Sequence, residues 1–129
     1  MYQVDAFADK LFSGNPAAVV ILESTLKDDV MQSIATENNL SETAFVSIHK
    51  NPISIRWFTP SIEVDLCGHA TLASARILFE FYPDLAGEEI NFDSKSGNLK
   101  ITRADQGLCL NFPVDYPADV ESDLSLIHI

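Results

Sequence analysis

The chain has 129 residues, 47% of them hydrophobic and eight of them Phe, which is enough for one domain with its own core and excludes a disordered chain. Nineteen Asp and Glu against eight Lys and Arg give a formal charge of −11, which argues against nucleic acid or an anionic membrane surface as a partner. Two cysteines without metal-ligand spacing point to a reducing, cytoplasmic setting, and neither a leader before Tyr2 nor a bilayer-spanning apolar run is expected.

Tyr2 to Phe7 alternates polar and apolar residues as a half-buried strand does, and Ser13-Gly14-Asn15-Pro16 is loop chemistry before the apolar run Ala17 to Leu22, a second strand. Thr25, with Asp28 three residues on, resembles a helix cap. Val30, Met31, Ile34 and Ala35 then form one apolar stripe that ends at Asn38-Asn39. A strand over 43–48, a turn at Asn51-Pro52 and an alternating strand over 53–58 follow, closed by Pro60. From Leu72 to Phe81 only Ser74, Arg76 and Glu80 are polar, which is too few for a surface helix; Tyr82-Pro83 stops it. Strands over 90–92, 99–102 and 108–112 complete the chain, the last two joined by an Asp105-Gln106-Gly107 turn. Seven strands and two helices predict an α+β domain, a curved sheet rolled around the 72–81 helix with the other helix packed outside.

Asp65-Leu66-Cys67-Gly68-His69-Ala70-Thr71 is the stretch with chemical content, because it puts a polar knot at the mouth of a buried helix. First-turn N–H groups lack intrahelical partners and carry the positive end of the helix dipole, so a carboxylate or enolate oxygen is stabilised there. Gly68 admits a ligand close to that backbone. Trp57, Phe58 and Cys109 read as core, and Asp5 and Asp65 as turn or cap groups.

Tyr2-Gln3-Val4-Asp5-Ala6-Phe7, Ser13-Gly14-Asn15-Pro16-Ala17-Ala18-Val19, Asn39-Leu40-Ser41-Glu42-Thr43-Ala44-Phe45-Val46, Arg56-Trp57-Phe58-Thr59-Pro60 and the stretch 65–71 together resemble the amino-terminal half of the PhzF phenazine-biosynthesis isomerase family. The resemblance covers residues 1–123. It implies one half of a pseudo-symmetric, two-domain fold similar to diaminopimelate epimerase, with the active site in the cleft between the halves. It also implies an isomerase without cofactor or metal that moves a proton on a small unsaturated or cyclic carboxylic acid. Glu42 matches the family's general acid/base. Gly68 and His69 match its substrate-binding helix mouth, with Ser41 and Asn15 as further substrate contacts. A weakly acidic carbon needs such a base in a largely apolar cleft, together with an oxyanion site for the electron density left behind.

Two alternatives stand beside this reading. In racemases of the same broad fold a Cys-Gly pair at the helix mouth supplies a thiolate, which makes Cys67 the alternative catalytic residue. Or the half-domain is a non-catalytic binding module, inactive alone because half a cleft lacks its opposing wall, with homodimerisation as a route to rebuilding it. Leu124-Ser125-Leu126-Ile127-His128-Ile129 resembles a translated sequencing adapter, so residues 124–129 are read as a non-native tail and His128 is dropped as a site residue.

Overall fold

The computed structural model describes residues 1–6, 15–104 and 107–111. The expected loop over 13–14, the Asp105-Gln106 part of the turn and the tail over 124–129 lie outside the described residues. The elements run β1 (Tyr2–Ala6), β2 (Asn15–Leu22), α1 (Asp28–Asn38), β3 (Glu42–Ser47), β4 (Ile53–Phe58), β5 (Glu63–Val64), α2 (Gly68–Phe81), α3 (Pro83–Ala86), β6 (Glu89–Ser94), β7 (Gly97–Ala104) and β8 (Gly107–Asn111). One sheet joins the strands in the order β1-β2-β3-β4-β6-β7-β8, with β5 paired to β4. The β2–β3 and β4–β6 pairs are parallel and the others antiparallel. Each parallel pair requires a crossover, which α1 supplies for the first and α2 with α3 for the second.

Side-chain alternation decides what each face of the sheet packs against. Ala17 and Val19 of β2, Ala44 and Val46 of β3, and Ile55 and Trp57 of β4 share one face and pack in the same core cluster as α2. On the opposite face Leu22, Phe45 and Phe58 meet Met31 and Ala35 of α1. Nine α2 residues are buried, among them Leu72, Ala73, Ala75, Leu78 and Phe79, and the helix touches β1, β2, β3 and β8. Its buried hydroxyls are satisfied within the helix, Thr71 Oγ1 donating to the Cys67 carbonyl at 2.7 Å and Ser74 Oγ to the Ala70 carbonyl at 2.8 Å. At the far end the Phe81 ring stacks on Tyr2 at 5.3 Å between centroids, tying β1 to the helix.

The structure departs from these expectations at several points. Thr25 does not cap α1, which starts at Asp28 with Lys27 at the cap position; the Thr25 hydroxyl instead lies 3.3 Å from His49 Nε2. The first turn gains from Asp28 and Asp29 beside the helix dipole. Two elements were not expected. They are β5, two residues long and so below any periodic signal, and α3, a single turn begun by Pro83 at the first helical position. The 72–81 helix starts a turn earlier, at Gly68. Asp65 is no cap, since Cys67 holds that position.

Cys109 is exposed rather than core. Leu110 points to the α2 face, so the alternation sends Cys109 to the other face, and the contacts of α1 on that face are with β3 and β4, away from β8. Iodoacetamide added to the native chain should therefore modify Cys109 alone, with Cys67 alkylated only after denaturation. Native labelling of Cys67, read by peptide mass spectrometry, would contradict its buried position.

A polar cluster fixes the β4–β5 hairpin. Arg56 donates Nε to Glu63 Oε2 at 2.7 Å and its second terminal nitrogen to Glu63 Oε1 at 2.8 Å, a bidentate pair, while its other terminal nitrogen reaches Asp28 at 2.8 Å and Lys95 reaches Glu63 at 2.7 Å. The Arg56 bonds hold the Glu63 carboxyl below its ordinary 4.5, and burial only partly opposes them. A depressed carboxylate binds protons more readily when unfolded. Its stabilisation is complete above about pH 4.5 and is lost as pH falls through the lowered folded value. Urea midpoints measured downward from pH 6 should fall in that range, and Arg56→Leu should flatten the dependence; an equally steep fall in the variant would place the acid sensitivity elsewhere.

Candidate functional site

The site forms where β3 begins and α2 begins. Glu42 is the first residue of β3 and pairs in register with Ala17 of β2. Since side chains two apart share a face, Glu42 stands on the same face as Ala44 and Val46, the one that α2 covers. Cys67 is the N-cap residue of α2 in extended conformation, and Gly68 and His69 are the first two residues of the helix. The helix ladder opens with the Thr71 N–H on the Cys67 carbonyl at 3.1 Å.

Three side chains converge there. His69 Nε2 lies 2.9 Å from Glu42 Oε2, and His69 Nδ1 lies 3.4 Å from Cys67 Sγ. The Glu42 and His69 side chains keep 20% and 14% of their exposure, so the pair is mostly withdrawn from water, and the two facing atoms are fully buried. It stands at ion-pair distance without in-line hydrogen-bond alignment, as catalytic groups often do before a substrate arrives. The carboxylate, thiol and imidazole donors lie within 4.8 Å of one another. The ring turns one nitrogen to each neighbour, and the carboxylate also reaches the thiol directly.

Electrostatics separate the two candidate bases. Burial pushes the Cys67 thiol up to about 12, and the Glu42 carboxylate raises it further, against the downward pull of the backbone N–H groups of Ala70 and His69. A helix N-terminus ordinarily favours a thiolate. Here burial wins, and Cys67 holds its proton at neutral pH.

Of the residues singled out in the sequence, Glu42, Cys67 and His69 meet directly, and Gly68 lies between the last two in the first turn. Ser41 is exposed in the bend before β3. Asn15 opens β2 two residues before Ala17, at the same end of the sheet as Glu42, and its side chain lies outside the described residues. Trp57 and Phe58 are core, on opposite faces. The contact between Cys67 and His69 went unread in the sequence. The only available signal was their spacing, a cap residue and the second helical residue, whose side chains both lean over the first turn.

No helix among the described residues is long and apolar enough to cross a membrane. Residues 4–123 match the family described as "Phenazine biosynthesis-like protein". The chain is 56% identical over 125 residues to an uncharacterized isomerase of Pseudomonas aeruginosa, covering 97% of this chain and 48% of the relative. It is 47% identical over 125 residues to phenazine biosynthesis-like domain-containing protein 1 of Mus musculus, covering 91% of this chain and 43% of the relative. Among solved structures, a phenazine biosynthesis PhzC/PhzF protein from Clostridium difficile superposes with a TM-score of 0.76 at 50% identity, over 81% of this chain and 40% of that one. A PhzF-family protein from Enterococcus faecalis superposes with a TM-score of 0.75 at 54% identity, with the same coverage. The chain thus spans about half the length of the curated relatives it matches.

Proposed function

The chain belongs to the phenazine biosynthesis-like (PhzC-PhzF) family, and on that premise we propose that it is the amino-terminal half, residues 1–123, of an isomerase that shifts a proton on a small unsaturated or cyclic carboxylic acid. Glu42 is the general acid/base. The observation that carries this reading is the Glu42–His69 contact at the mouth of α2, a carboxylate held at 2.9 Å from an imidazole beside a helix N-terminus.

The proposed steps use that geometry. The substrate carboxylate or developing enolate takes the N–H groups of Gly68 and His69, with Ser41 and Asn15 as outer contacts, in the field of the α2 dipole. Glu42 removes a proton from the adjacent carbon, keeps it on its carboxyl, and returns it to another carbon on the same face of the substrate. One carboxyl serves as base and then as acid, so the reaction consumes no cofactor and no metal. The far wall of the cleft belongs to a second, pseudo-symmetric half, or in its absence to a second copy of this chain in a homodimer.

The thiolate racemase reading is weakened by the Cys67 thiol, which is pushed up to about 12 where a base is needed near neutrality. The test is deuterium incorporation from D2O into a panel of small unsaturated and cyclic carboxylic acids, run on the intact two-half protein. Incorporation at carbon supports the isomerase. No incorporation across the panel, with the acids nonetheless bound, would favour the binding-module reading.

A further inference from the structure

A neutral imidazole has one N–H and one bare nitrogen, and its neighbours decide which is which. In this site each ring nitrogen of His69 has a different neighbour, a carboxylate oxygen at 2.9 Å from Nε2 and a thiol sulfur at 3.4 Å from Nδ1. An ionised carboxylate only accepts, and at 2.9 Å a bare Nε2 would set lone pair against lone pair, so hydrogen on Nε2 is favoured even though the two groups are not in line; the neutral ring then leaves Nδ1 bare and in need of a donor. A protonated thiol is that donor, and Cys67 is buried where it keeps its proton; the Glu42 carboxylate is the competing acceptor of that S–H, and a thiol that gave its proton there would leave the ring's own hydrogen on Nδ1. The same sulfur also has lone pairs, so it accepts from Nδ1 when the ring takes a second proton.

We propose that Cys67 is a positioning residue that fixes His69 with its proton on Nε2, by giving S–H to Nδ1 of the neutral ring and accepting Nδ1–H from the charged one. The thiol exchanges roles without gaining or losing a proton, so the N–H aimed at Glu42 is the same in both states of the ring. The consequence for reaction rests on Glu42 being the base: one carboxylate oxygen keeps facing the same N–H of His69 and the other is left to take the substrate proton.

The test is the ring 15N spectrum of the 15N-labelled 129-residue chain at a pH where the spectrum itself shows a neutral ring, its signals assigned by their loss in His69→Gln. The native chain and Cys67→Ser, whose hydroxyl can also give and accept, should show a protonated Nε2 and a bare Nδ1. In Cys67→Ala the ratio of the two tautomers should fall by roughly fivefold, about the factor that one net hydrogen bond sustains. A native His69 protonated at Nδ1 would overturn the proposal without reference to any variant, and so would a folded Cys67→Ala with native ring shifts. Neither result would touch Glu42 as the base, which the deuterium experiment tests separately.

Discussion

Glu42→Gln in the intact two-half protein is expected to cut deuterium incorporation into the substrate acid by about a hundred- to ten-thousand-fold, the range a positioned general base contributes. Glutamine keeps the shape of the side chain and an oxygen to face His69, so binding through the α2 N–H groups should be nearly intact and the loss should fall on turnover rather than on KM. Cys67→Ser is the discriminating companion. It leaves a group able to hold His69, so the proposed isomerase retains most of its exchange. A racemase that uses the thiolate would lose it. Full exchange in Glu42→Gln together with loss in Cys67→Ser would transfer the chemistry to Cys67.

Leu78→Ala should carry the largest effect on stability. Leu78 is fully buried in α2, within the core cluster that the sheet closes around that helix, so the space left by its side chain has little means of collapsing. Such truncations cost about 2–5 kcal/mol, a large share of the roughly 5–15 kcal/mol that holds a domain folded. The urea midpoint should drop with an unchanged slope, because the surface exposed on unfolding hardly differs. Leu85→Ala, at a residue 48% exposed in α3, should shift stability by no more than about 0.5 kcal/mol. Equal effects of the two substitutions would mean that α2 is not the centre of the core.

Much of this fold was legible in the chain because alternation and its absence are strong signals. Ile53 to Phe58 reads as a strand with Trp57 inward, and the structure has it so; Leu72 to Phe81 reads as a helix too apolar for a surface, and nine of the α2 residues are buried. The failures share a cause. Cys109 alternates as expected, but whether its face is covered depends on where α1 lies, and no local pattern carries that. The two residues of β5 owe their conformation to pairing with Trp57 and Phe58, and α3 is a single turn, too short for a period. The site was legible in a different way. Nothing in spacing brings Glu42 to His69; motif order suggested both, and the β2–β3 register with the α2 packing accounts for their meeting.

The groups of the cluster all fall between Glu42 and His69 in the chain, in one passage that runs through β3, β4 and β5 to the mouth of α2. Closing so short a loop costs little chain entropy, and β2, paired with β3 and packed against α2, holds the two ends of the passage together. Exchange of this passage between relatives would carry Glu42, Cys67 and His69 together, and their arrangement would persist wherever the recipient supplies a matching β2. On the proposed isomerase reading, differences in substrate choice would then be sought first outside this passage, and constancy of the proton-handling groups within it.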